Sequence, residues 1–244
     1  MEPIVTPTEM GEIDAAAPEP VEELIDRAGG AVARAALHLL GGAYGRRVVV
    51  VAGKGNNGAD GRAAARRLAV RGVRCTVIDA AGAPAVLPPA DLVIDAAYGT
   101  GFRGTYDAPA PADPATPVLA VDIPSGVDGR TGVAAGRPLQ ATRTVTFAAW
   151  KPGLLLADGA RLAGEVELAD IGLDVSGARA WRVMVEDVAG WLPSADRETH
   201  KWRSAAWLIA GSPGMTGAAR LAASSALRSR SEERRVGKEC LRLC

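Results

Sequence analysis

The stretch that most constrains this chain is residues 48–71, VVVVAGKGNNGADGRAAARRLAVR. Its opening run of valines, Val48 to Val51, suits a strand buried on both faces of a parallel sheet. The run breaks into residues 53–61, GKGNNGADG, a loop in which glycine lets the backbone pass close to a ligand. From Arg62 onward the sequence is rich in Ala, Arg and Leu, all strong helix formers. Strand, glycine loop and helix in this order build nucleotide sites in α/β proteins, because backbone N–H groups of the loop point at the ligand.

The same grammar extends along the chain. Residues 6–17 carry a capping box, with Thr6 or Thr8 at the helix start and Glu9 reaching back. Val21–Leu40 sets Leu24, Ile25, Ala28, Val32, Ala36 and Leu39 at helical spacing and stops at Gly41-Gly42, which predicts an amphipathic helix. Strands are expected over 74–79, 91–95, 118–123, 142–147 and 164–169. A second glycine loop, AYGTGFRG, follows 91–95, and PSGVDG follows 118–123. Residues 107–117, DAPAPADPATP, are too proline-rich for a good helix, so the crossover there should be short or irregular. The fold class is therefore α/β, a doubly wound, mostly parallel sheet in a Rossmann-like three-layer sandwich with an N-terminal helical segment. Ligands on such sheets bind beyond the carboxyl ends of the strands, where all three unusual loops converge.

Composition narrows the partners. Apolar residues make up 48% and aromatics only 4%, so the core must be built from Val, Leu, Ile and Ala. Lys+Arg and Asp+Glu both number 28, so no net field attracts nucleic acid or an anionic membrane, and neither partner is expected. Cys75, Cys240 and Cys244 are too few for a disulfide framework, and Cys75 reads as a small core residue. No signal peptide and no apolar run of about 20 residues is present, so a soluble, cytoplasmic protein is expected. A homo-oligomer is left open.

Several residues carry chemistry. Gly53, Gly55 and Gly58 match a dinucleotide fingerprint, with Asp79 ending the next strand about 20 residues on, so an NAD(P)-dependent oxidoreductase is one alternative. Against it, Asn56, Asn57 and Asp60 crowd the turn, and Asp60 near a helix N-terminus would compete with a pyrophosphate for the helix dipole. His38 and His200 fall on a helix face and in a linker, not where a hydride-transfer acid would sit. Asp95 and Asp122 each end a predicted strand, in LVIDAAYG and LAVDIPSG, poised over the site. Asn57, Asp95 and Ser125 offer hard oxygen donors that suit an oxygen-liking cation, and no His/Cys set exists for zinc. Lys151, in AAWKPG, reads as a solvated loop lysine in preference to a phosphate contact. A non-catalytic nucleotide-binding module is the other alternative.

GKGNNGADG, DLVIDAAYGTGFRG and VLAVDIPSGVDG, with the leading segment TPTEMGEIDAAAPEPVEELIDRAG, resemble the NAD(P)H-hydrate epimerase family of the YjeF N-terminal type. The resemblance covers about residues 3–190 and departs from the family at Ala59, where glycine is more common. It implies a substrate, NADHX or NADPHX, which is reduced nicotinamide hydrated at C6, and interconversion of its R and S forms. It implies substrate contacts from Asn56, Asn57, Gly58, Ala59 and Asp60, from Gly99, Thr100, Gly101, Phe102, Arg103, Gly104 and Thr105, and from Asp122. It also implies one potassium ion, K+, held by Asn57, Asp95 and Ser125. Inverting C6 needs a proton shuttled at the C6 oxygen or the ring nitrogen, and Asp122 is the candidate general acid/base.

In this reading residues 1–192 form the epimerase domain and 193–204 a linker. Residues 200–227 are similar to the opening of the ADP-dependent NAD(P)H-hydrate dehydratase domain, a ribokinase-like fold, whose truncated start is placed at 205–229. They supply its first βα unit: strand 205–210, glycine loop 211–217 and helix 218–228. The later glycine-rich motif and catalytic Asp of that domain are not in the sequence, so ADP would serve only the missing part and no dehydratase activity is expected. RSEERRVGKEC matches the translation of a common sequencing-adapter oligonucleotide, so 230–244 reads as a non-native tail.

Overall fold

A computed structural model of the chain describes residues 1–191, 208–212 and 214–228. The chain divides into two compact units, Met1–Ala189 and Gly190–Cys244. The first unit begins with β1 (Glu2–Ile4), α1 (Pro7–Ala16) and α2 (Val21–Leu40). It continues through β2 (Arg47–Ala52), α3 (Asn56–Val70), β3 (Arg74–Asp79), β4 (Leu92–Ala96), β5 (Tyr106–Asp107), β6 (Val118–Val121) and β7 (Gly136–Arg137). It closes with β8 (Arg143–Phe147), α4 (Ala157–Leu162), β9 (Glu165–Ala169) and β10 (Ala180–Arg182), and α5 (Val185–Trp191) follows.

A six-stranded sheet in the order β3-β2-β4-β6-β8-β9 forms the centre, and every neighbouring pair is parallel. The valine run explains why β2 lies inside it. Val48 to Val51 are each at most 3% exposed. Val48 and Val50 meet Leu92, Ile94 and the helices α2 and α3 on one face, whereas Val49 and Val51 meet Val93 and Val118 on the other. Alternate side chains of a strand point to opposite faces, so only a sheet covered on both sides can bury four consecutive valines. Fully burying each contributes about 1.5–3 kcal/mol.

The two covering layers differ. α2 and α3 form one. The other consists of irregular segments around Leu87, Tyr106 and Leu139, and of α4 with Trp150 and Leu154 packed on Val166 and Leu168 of β9. No helix links β4 to β6, in keeping with the proline-rich crossover. β1 pairs antiparallel with β10, and Val5 N–H donates to the Trp150 carbonyl at 2.8 Å, which ties the chain start to the end of β8. α1 then begins at Thr6, whose Oγ1 accepts from Glu9 N–H at 3.3 Å while Glu9 Oε2 accepts from Thr6 N–H at 2.8 Å.

Some boundaries move from the expectation. The strand read as 118–123 stops at Val121, because Asp122 turns into the left-handed region with φ 65°. The loop read as 53–61 shrinks to 53–55, since α3 starts at Asn56. Of the strand expected at 205–210, the first three residues lie outside the described ones and residues 208–210 form no strand. Residues 217–228 form a helix, α6 (Gly217–Arg228), preceded by a turn in which Met215 N–H donates to Ser212 O at 2.8 Å. The linker 193–204, His200, the tail 230–244, Cys240 and Cys244 lie outside the described residues. Among the described residues no helix is long and apolar enough to cross a membrane.

Candidate active site at the strand-order reversal

After β2 the chain adds β3 on one side of it and then β4 on the other. Open α/β sheets leave a crevice beyond the strand ends at such a reversal. A cleft of about 740 Å³ opens there, walled by residues 53–57, 97–102, parts of α1 and α2, Asp122 and Lys151. The backbone crossings beneath it are tight. Gly53 N–H donates to Ala96 O at 3.0 Å, a Cβ on Gly53 would overlap the Ala97 carbonyl, and one on Gly58 would overlap the Gly53 carbonyl. Gly58 is therefore a packing residue, buried inside α3.

The first turns of α3 carry two polar side chains into the site. Asn57 and Asp60 lie three apart, on one helix face, and are only 9% and 7% exposed. Both amide atoms of Asn57 are buried with no hydrogen-bond partner among the described residues. Asp60 is not the helix cap, a place taken by Gly55. Burial, then the charges of Asp122 and Asp14, push its carboxyl up to about 8 against the opposing pull of Lys151. Ala59 sits in ordinary helical backbone between them, so alanine there costs nothing conformationally.

Asp122 lines the cleft in a left-handed backbone conformation, held by its N–H donating to Val145 O at 2.7 Å. Its Oδ1 accepts from Lys151 Nζ at 2.6 Å and from Thr146 Oγ1 at 3.1 Å. Lys151 corrects the sequence reading: it is no solvated loop residue but 1% exposed, the largest fully buried side chain of the unit. Its ammonium also donates to Thr146 Oγ1 and to Phe147 O, both at 3.0 Å. A buried ammonium is tolerable only when its donors are met and its charge is opposed, and this one has both. The available signal was a single charge ending the apolar run TVTFAAW.

Behind the cleft, Asp95 is 2% exposed and Ser125 fully buried. Ser125 donates from Oγ to Asp95 Oδ1 at 2.6 Å and from its N–H to Oδ2 at 2.9 Å, and Tyr98 N–H donates to Ser125 Oγ at 2.9 Å. Burial raises the Asp95 carboxyl above its ordinary range, while the bonds from Ser125 and Ala97 oppose that. No cationic side chain pairs with Asp95 among the described residues. Asn57 is not hydrogen-bonded to this pair; its side chain lies against Gly99 of the neighbouring loop.

Of the residues anticipated from sequence, Asn56, Asn57, Asp60, Gly99, Thr100, Gly101, Phe102 and Asp122 line the cleft. Ala59 is half-buried in α3, and Arg103, Gly104 and Thr105 are exposed outside the cleft wall. Among the lining residues that were missed, Tyr98, Asp14 and Lys151 bear on the chemistry. Tyr98 stacks on Phe102 with ring centroids 4.2 Å apart, an apolar wall suited to a flat ring. Asp14 of α1 and Lys151 complete a group of three carboxylates and one ammonium. Partial burial raises the Asp14 carboxyl, opposed by Lys151. Asp79 is exposed on the cleft rim, where its Oδ1 accepts from Ala81 N–H at 3.0 Å. Such a site can move protons at a polar carbon beside a bound ring.

Residues 21–85 and 78–153 match the model of the YjeF-related protein N-terminus. The chain is 39% identical to the NAD(P)H-hydrate epimerase of Limosilactobacillus reuteri, in an alignment taking in 60% of this chain and 83% of that protein. It is 35% identical to the bifunctional NAD(P)H-hydrate repair enzyme Nnr of Moorella thermoacetica, over 93% of this chain and 52% of that protein. The chain thus spans about half the length of the bifunctional relatives it matches. In fold it is similar to the crystal structure of the yeast protein ynu0, with a TM-score of 0.52 at 20% identity over 68% of this chain and 87% of that one.

Proposed function

This chain belongs to the YjeF-related N-terminal family, and from that premise we propose that its cleft interconverts the R and S forms of NADHX and NADPHX. The observation that carries the reading is Asp122, fixed at one oxygen by Lys151 and Thr146 at the wall of a nucleotide-sized cleft. The substrate carries a hydroxyl on C6 of a reduced nicotinamide ring, next to the ring nitrogen. Inversion requires a bond at C6 to break and re-form, with a proton moved at the C6 oxygen or N1.

Each element of the site has a task in this reaction. Lys151 and Thr146 occupy Asp122 Oδ1, which leaves Oδ2 to exchange a proton with substrate. Residues 54–57, at the start of α3, line the cleft, and the N–H groups of a helix start suit the pyrophosphate. Tyr98 and Phe102 pack against the ring and exclude water from one side of it.

A potassium ion fits the residues behind the cleft. The unpartnered Asn57 Oδ1 and the buried Asp95 carboxylate, with no cationic side chain paired to it among the described residues, both call for a cation; one carboxylate matches one positive charge. Asn57, Asp95 and Ser125 would hold it, and it would supply a fixed positive charge beside the phosphate-binding loops. The test is incubation of purified S-NADHX with the protein followed by chromatography. Appearance of the R epimer, unaffected by added ADP, is the expected result; an unchanged S epimer in the presence of folded protein rules the reading out.

A further inference from the structure

We infer that Asp60 is a second catalytic carboxyl: it protonates the departing C6 hydroxyl, and Asp122 takes the proton of the water that returns. The inference rests on the epimerase reading and deepens it.

Asp60 lines the cleft, is 7% exposed and has no hydrogen-bond partner among the described residues. A carboxyl so placed exists to meet a ligand or to remain neutral, since a buried carboxylate without a partner is costly. Three charged groups bear on it from the surrounding elements: Asp14 from α1, Asp122 from the turn after β6, and Lys151 from the segment after β8. Lys151 is bonded to Asp122, not to Asp60. The two carboxyls therefore differ in kind. Asp122 has its countercharge at 2.6 Å; Asp60 has no ion-pair partner, sits among like charges and holds its proton. A carboxyl that keeps its proton, beside one bonded to an ammonium, provides one acid and one base in the same cleft.

The Asp60 proton moves to the C6 oxygen, the C6–O bond breaks with its electron pair on oxygen, and water leaves. The N1 lone pair forms an N1=C6 double bond, giving an iminium cation. Water then adds to the other face of C6, the double-bond pair returns to N1, and the surplus proton passes to Asp122. One proton has moved from Asp60 to Asp122, and exchange with solvent or turnover in the reverse sense restores the start. The alternative, ring opening, begins by removing a proton from the C6 hydroxyl and so raises negative charge on the substrate. Asp14 and Asp122 already outnumber the one ammonium among them, and Asp60 joins them as an anion once its proton has gone, which stabilises a cation and penalises an anion.

The experiment follows S-NADHX in ¹⁸O-labelled water with wild type, Asp60→Asn and Asp60→Glu, across the neutral and alkaline range. Wild type is expected to incorporate one solvent oxygen per inversion, with kcat falling as pH rises past about 8. Asp60→Asn should lower kcat by roughly 10²–10⁴-fold, abolish the alkaline fall and leave KM nearly unchanged, while Asp60→Glu restores part of the rate. Inversion without ¹⁸O incorporation, or Asp60→Asn keeping the wild-type kcat and alkaline fall, overturns this inference alone. A wild type that inverts neither epimer overturns the epimerase reading beneath it.

Discussion

Replacing Lys151 with methionine should cost this protein both stability and its cleft chemistry. The ammonium is 1% exposed and makes hydrogen bonds of 2.6, 3.0 and 3.0 Å to Asp122 Oδ1, Thr146 Oγ1 and Phe147 O. Methionine fills the space of the stem, so the loss is electrostatic: Asp122 is left without a countercharge beside Asp60 and Asp14. Removing one member of a buried pair costs about 3–5 kcal/mol. The Asp122 side chain is 15% exposed, so water recovers part of that, and the lower end, about 3 kcal/mol, applies. For a unit of this size each kcal/mol shifts Tm by about 2–4 °C, so circular dichroism should show a fall of roughly 6–12 °C. Adding Asp122→Asn to Lys151→Met removes the stranded carboxylate and should regain a good part of the loss, a coupling of about 0.5–3 kcal/mol. A Lys151→Met protein that melts with wild type, or a double variant less stable than the single one, would refute the reasoning.

Other consequences are open to simpler measurements. Asp122→Asn should retain the fold by circular dichroism yet lose roughly 10²–10⁴-fold in epimerisation rate, the usual worth of a positioned acid or base. Potassium chloride should raise Tm relative to sodium chloride, and Asp95→Asn should erase that difference, because a cation that binds only the folded chain stabilises it by mass action. The Asp60 carboxyl is raised in the folded chain to about 8, so the folded state keeps a proton that the unfolded chain releases near its ordinary carboxylate value. Its contribution therefore weakens stability as pH rises from about 4 toward 8, and Asp60→Asn should give a higher, flatter Tm over that window. Gly58→Ala forces a Cβ onto the Gly53 carbonyl and should destabilise by about 1–3 kcal/mol or more, read by urea melts.

What the sequence reveals here, and what it hides, follow from the range of the forces involved. Val48 to Val51 and Val21–Leu40 announce themselves because burial on two faces, or on one helical face, writes a local pattern. Asp95 and Asp122 are visible because each breaks an apolar strand where a glycine or proline turn begins. Residues 56–61 misled because Asn and Gly are poor helix formers; α3 starts there through packing of Gly58 under Gly53 and Gly61 against Ala96, which overrides propensity. Lys151 misled for a similar reason, since its burial depends on Asp122, 29 residues earlier in the chain. Asp14 reaches the cleft because β1 pairs with β10 and Val5 bonds to Trp150, a contact no local pattern encodes.

The cleft inverts C6 of hydrated nicotinamide dinucleotides through Asp122. The decisive measurement starts wild type and Asp122→Asn from each pure epimer of NADHX, in potassium buffer, and follows both by chromatography. Wild type is expected to reach the same R:S ratio from either side, with Asp122→Asn at least about 100-fold slower. Folded wild-type protein that leaves both epimers unchanged, or an Asp122→Asn variant as fast as wild type, would contradict it.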